Sequence, residues 1–81
     1  MGLKIRIKHS DENATITIVA TCDEGEYKQM YEAITTVLKT GERMKITVTE
    51  EEYSPCSITK NLKFVSPRSM KIFVDRLPKK R

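Results

Sequence analysis

Four stretches of this chain set cations between apolar residues: Leu3-Lys4-Ile5-Arg6-Ile7-Lys8, Met44-Lys45-Ile46, Leu62-Lys63-Phe64 and Met70-Lys71-Ile72-Phe73-Val74. In an extended strand successive side chains leave on opposite faces, so each stretch sends its apolar residues one way and its cations the other. If the four join one sheet, Lys4, Arg6, Lys8, Lys45, Lys63 and Lys71 share a solvent-facing surface. Cations on a flat platform neutralise phosphates, and an aromatic ring among them offers a surface on which a base can stack. Strand parity places Phe73 on that surface with Val65 and Val19, and sets Thr15, Thr17, Thr47, Thr49 and Asn61 between the cations. Lys79, Lys80 and Arg81 add a basic arm suited to tracking a phosphate backbone. The competing reading is that these lysines keep an open face wet and guard strand edges against aggregation.

Other chemistry is weakly supported. His9-Ser10-Asp11 contains the three residue types of a hydrolytic triad, but neighbours in sequence point apart, whereas triad members converge from separate elements. Glu50-Glu51-Glu52 lacks the alternating acids and the turn glycine of a calcium loop. Cys22, Cys56 and the single His9 are too few for a zinc site with paired ligand spacings. Gly2, Gly25 and Gly41 stand alone and make no phosphate-cradling loop. The expectation is a non-catalytic binding protein with no metal and no cofactor.

The elements that would hold the basic face follow from periodicity. Residues 3–9 alternate, 14–20 are rich in β-branched residues, and the two flank Ser10-Asp11-Glu12-Asn13, which predicts a hairpin. Asp23 and Glu26 have the spacing of a capping box. Tyr27, Met30, Tyr31, Ile34, Val37 and Leu38 then recur at helical spacing as one apolar stripe, with the tyrosines at its rim, until Lys39 and Gly41 end the helix. Residues 43–49 read as a third strand and 50–57 as a loop, because three like charges and Pro55 fall there. Residues 58–65 read as a fourth strand, although Lys60 shares the parity of Leu62 and Phe64 and calls for a bulge or a late start. Ser66-Pro67-Arg68-Ser69 reads as a turn before a fifth strand over 69–76.

The sum is ββαβββ, an α+β two-layer sandwich with one helix packed on a mainly antiparallel mixed sheet, its second and third strands running parallel. Residues 1–76 form one domain and 77–81 a basic tail. With 81 residues, 38% of them hydrophobic and 32% charged, the chain suits a small folded domain rather than a disordered segment. Lys4, Arg6 and Lys8 interrupt any apolar leader. The expected setting is therefore the cytoplasm, its own or that of an infected or colonised host, with both cysteines reduced.

A net charge of +4 favours anionic partners. Nucleic acid, held by the sheet face and the tail, is the first expectation. An acidic protein surface is the alternative, the chain then being an accessory subunit or a phage or mobile-element inhibitor that regulates a host protein. A homodimer through the same face is a third arrangement, and no membrane partner is expected.

Overall fold

The computed structural model describes residues 2–54 and 56–77, with the backbone alone for residues 52–54. The elements are β1 (Lys4–Ser10), β2 (Thr15–Thr21), a short 3-10 turn (Glu24–Glu26), α1 (Tyr27–Lys39), β3 (Ile46–Ser54), β4 (Ser57–Phe64) and α2 (Pro67–Arg76). They make an α+β fold of one four-stranded sheet, ordered β1-β2-β4-β3, and two helices.

The first hairpin forms where the alternation places it, with Lys4 opposite Thr21 and Ser10 opposite Thr15. Its turn closes on Ala14, whose φ of 52° lies in the left-handed region, a conformation costing a residue with a Cβ about 1–2 kcal/mol. Two contacts hold it there. The Ala14 carbonyl accepts the Phe64 N–H at 2.9 Å, and the methyl group is buried.

The expected capping box forms at the 3-10 turn that leads into α1: the Asp23 N–H donates to the Glu26 carboxylate at 3.1 Å, and the Glu26 N–H donates to the Asp23 side chain as well as to its carbonyl at 2.9 Å. Met30 and Ile34 are buried, Val37 and Leu38 half-buried. Tyr27 and Tyr31 stay exposed at the rim, ring edge to ring face with centroids 6.0 Å apart. The helix ends at Lys39, and the glycine at position 41 is required by lack of space rather than by a positive φ. A Cβ there would sit 3.1 and 3.2 Å from the Phe73 ring and would collide with Ile46 Cδ1.

Two segments depart from expectation. The acidic run is not a loop, because β3 continues through Glu50, Glu51 and Glu52 to Ser54. Alternation separates the like charges: Glu50 and Glu52 share one parity, and Glu51 takes the other. Glu50 sits opposite Lys60 and its carboxylate bonds the Lys60 ammonium. That pairing is how Lys60 lies in the same row as Ile58, Leu62 and Phe64. β4 therefore needs no bulge at Lys60, and the register shift falls in β3, between Glu52 and Ser54.

The second departure is larger. Residues 69–76 are not a fifth strand but most of helix α2. The Ser66 hydroxyl accepts the Ser69 N–H at 3.2 Å, Pro67 occupies the first turn, and Met70, Phe73, Val74 and Leu77 fall at helical spacing on one side. The ββαβββ order thus becomes ββαββα, and every ladder is antiparallel. β2 and β3 do point the same way, but β4 lies between them.

Ile16, Ile18 and Ala20 of β2 and Ile58, Leu62 and Phe64 of β4 are buried, together with Met30 and Ile34 of α1 and Met70 and Phe73 of α2. Phe64 and Phe73 pack with ring centroids 5.3 Å apart. Each of the larger side chains contributes about 1.5–3 kcal/mol by leaving water. The alternate residues of β2, Thr15, Thr17 and Val19, are only half-buried.

Candidate functional site

On the face opposite the core, the strand register builds rows that cross the sheet. Lys4 stands beside Thr21 and then Ser57; Arg6 beside Val19, Thr59 and Glu51; Lys8 beside Thr17, Asn61 and Thr49; Ser10 beside Thr15, Lys63 and Thr47. Lys4, Arg6 and Lys8 are all exposed along edge strand β1. Their two-residue spacing sets them about 6.6 Å apart, a step of the same order as that between phosphates on one nucleic-acid strand. The next strand sets Thr21, Val19 and Thr17 against them, so no carboxylate neighbours this ridge from β2. The centre of the face carries hydroxyls and an amide, with the Thr17 hydroxyl donating to Asn61 Oδ1 at 3.0 Å. At the far side Glu51 ends the row that Arg6 begins. That one row therefore runs from a cation at β1 to a carboxylate at β3, over about 14 Å.

The remaining expected residues separate. Lys63 lies on the same face, but its ammonium donates to the Asn13 carbonyl at 2.8 Å and so braces the hairpin turn. Lys45 is exposed just before β3. Lys71 is not on the sheet at all: it is exposed on α2. There it lines a groove of about 490 Å³ with His9, Asp11, Arg68, Val74 and Asp75. Phe73 is fully buried beneath α2 and presents no ring to a base. The strand reading of Met70-Lys71-Ile72-Phe73-Val74 had placed both residues with β1, and a helix turns Lys71 outward while sending Phe73 into the core. Neither Tyr27, Tyr31, Phe64 nor Phe73 lies on the sheet face. Lys79, Lys80 and Arg81 fall outside the described residues.

Arg68 and His9 were not expected beside Lys71. The helical spacing of Met70, Phe73, Val74 and Leu77, read with Ser66-Pro67 as a helix start, is the signal that would have placed them. His9 Nδ1 lies 3.2 Å from Asp11 Oδ1. Ser10 turns elsewhere, its hydroxyl accepting from the backbone and side-chain amides of Asn13 at 3.4 and 3.3 Å. The three residues do not assemble as nucleophile, base and orienter.

Among the described residues no helix is long and apolar enough to cross a membrane. No protein-family model, curated protein or solved structure matches this chain.

Proposed function

We propose that this is a small non-catalytic protein that binds the phosphate backbone of single-stranded nucleic acid in the cytoplasm along the β1 ridge. In this reading both helices cover one face of the sheet in a two-layer arrangement, and the other face is left to the ligand. The observation that carries the proposal is the run of Lys4, Arg6 and Lys8, exposed on one side of an edge strand with Thr21, Val19 and Thr17 as their cross-strand partners. With no stacking ring available on that face from Tyr27, Tyr31, Phe64 or Phe73, affinity comes from ion pairs and is indifferent to base sequence. The Thr49 hydroxyl and the Asn61 amide N–H groups can donate to sugar and phosphate oxygens.

Fluorescence anisotropy with labelled oligonucleotides tests this. Three phosphate contacts give a log–log salt slope of about −2 on single strands. Reversing Lys4, Arg6 and Lys8 to glutamate should abolish that slope and weaken binding at least about tenfold. Binding that survives the triple reversal sinks the proposal.

A second reading is favoured by the position of β1 at the edge of the sheet, where one side of the strand has no strand partner among the described residues. An acidic peptide added there as a strand would take main-chain hydrogen bonds from β1 and charge pairing from its cations. No oligonucleotide binding even at low salt would turn attention to that partner.

A further inference from the structure

Cys22 and Cys56 stand across the seam between the two central strands, one step beyond the last ladder pair, Thr21 opposite Ser57. The Cys22 N–H donates to the Cys56 carbonyl at 3.0 Å, so the antiparallel pairing reaches these residues. Directly opposed, hydrogen-bonded residues of an antiparallel pair have Cα atoms about 5.5 Å apart. That falls inside the range of about 4.4–6.8 Å that a disulfide spans without moving the backbone. The two thiols lie within hydrogen-bond reach of one another, and Cys22 packs on the helix side against the cluster of Ala20, Met30, Ile34 and Ile58. Neither cysteine is in a disulfide and both are half-exposed, so a small reagent can reach them.

We infer that Cys22 and Cys56 form a redox-modification site, a cross-strand dithiol that a small-molecule disulfide oxidises to an intrachain bond stapling β2 to β4. One cysteine thiolate attacks a sulfur of the oxidant, oxidised glutathione for example, forming a mixed disulfide and releasing one glutathione thiolate. The second cysteine, as thiolate, then attacks the protein sulfur of that mixed disulfide and releases the other. Two protein thiols lose their protons and two electrons, and one disulfide molecule is reduced to two thiols. The chain from Cys22 to Cys56, which includes α1 and β3, becomes a closed loop.

The surroundings set the pace of this exchange. Burial pushes the Cys22 thiol above the usual range, and Cys56 and the Glu26 and Asp23 carboxylates push it further in the same direction. Lys4, opposite Thr21 on β1, is the cation of the neighbouring strand. Cys22 is therefore protonated at neutral pH and gains thiolate only as the pH rises, so reaction is slow at pH 7 and quickens on the alkaline side.

The full chain is incubated folded with oxidised glutathione at alkaline pH, then analysed by thiol titration and intact mass. The expected product is a monomer that has lost both thiols and two hydrogens and retains no glutathione. Cys22→Ser and Cys56→Ser should each stop at a single glutathione adduct. The oxidised wild type should unfold at a urea concentration higher by roughly 1 M and return to the original midpoint with dithiothreitol. Stable glutathione adducts on the wild type, disulfide-linked dimers, or an intrachain bond that appears only in denaturant would each overturn the inference. The wild-type product alone decides between these outcomes, whether or not the serine variants fold.

Discussion

Along β1 the side chains leaving the open face are Lys4, Arg6 and Lys8; along β3, the other edge, they are Thr47, Thr49 and Glu51. On the core side β1 offers Ile5, half-buried, and Ile7, 38% exposed, while β3 offers Ile46, half-buried, and Val48, 43% exposed. The edges are matched in apolar contact and differ in how charge is handled. β3 has its Glu50 carboxylate bonded to Lys60 of the next strand. It is also anchored through Ile46, which packs over Gly41. β1 pairs with β2 through its backbone and leaves its cations facing water. Charge on an edge strand works against strand-to-strand aggregation, and of the two edges β1 is the one with a row of exposed cations.

Breaking the anchored edge should produce the largest effect. Gly41→Ala drives a methyl group into Ile46 and to about 3.1 Å from the Phe73 ring, and overpacking of this kind costs about 1–3 kcal/mol. Urea denaturation should show the loss, with little change in oligonucleotide binding, because β1 is untouched. An unchanged midpoint would mean that β3 is not held through this contact.

The ion pair is the next test. Lys60 is 16% exposed at its side chain and Glu50 41%. Glu50→Gln, which leaves that ammonium without its counter-charge, should cost about 1 kcal/mol. Adding Lys60→Met beside Leu62 should recover most of it, since an apolar chain of similar length needs no partner. If the double variant is no better than the single, the pair holds the edge by geometry and not by charge compensation.

The smallest effect belongs to β1. Ile7→Ser at a site 38% exposed should shift stability by about 1 kcal/mol or less. A loss as large as that of Gly41→Ala would show that the ridge is built on a more tightly held strand than its exposure suggests.

The two halves of the chain differ in how openly their sequence speaks. The first hairpin and α1 were legible because one signal ran through each segment: strict alternation over 3–9, a β-branched run over 14–20, then a three-and-four spacing from Tyr27 to Leu38. Residues 70–74 carry both patterns at once. Met70-Lys71-Ile72 alternates as a strand does, and Met70, Phe73 and Val74 are spaced as on a helix. Ser66 and Pro67, equally at home in a turn and at a helix start, decide it through the bond to the Ser69 N–H. Glu50-Glu51-Glu52 was opaque for a different reason, because its tolerance in a strand depends on Lys60, a residue that local pattern reading treats as the anomaly. Of the candidate site, the ridge of Lys4, Arg6 and Lys8 could be read from parity alone. The places of Lys71 and Phe73 could not, since they hung on an element of ambiguous period.

The sheet order β1-β2-β4-β3 has a consequence for the speed of folding. It is two hairpins, each closing over a few residues, joined along a seam whose partners are as far apart in sequence as Thr17 and Asn61, 44 positions. Isolated hairpins close in about 1–10 μs, whereas the seam must first bear the loop entropy of everything between its strands. The topology predicts that joining the two hairpins along this seam limits the rate. In a chevron series, Ile18→Val and Ile58→Val at the seam should slow folding, while Ile5→Val at the edge should mainly hasten unfolding. Seam substitutions that leave the folding limb unchanged would show that the barrier is crossed before the hairpins meet.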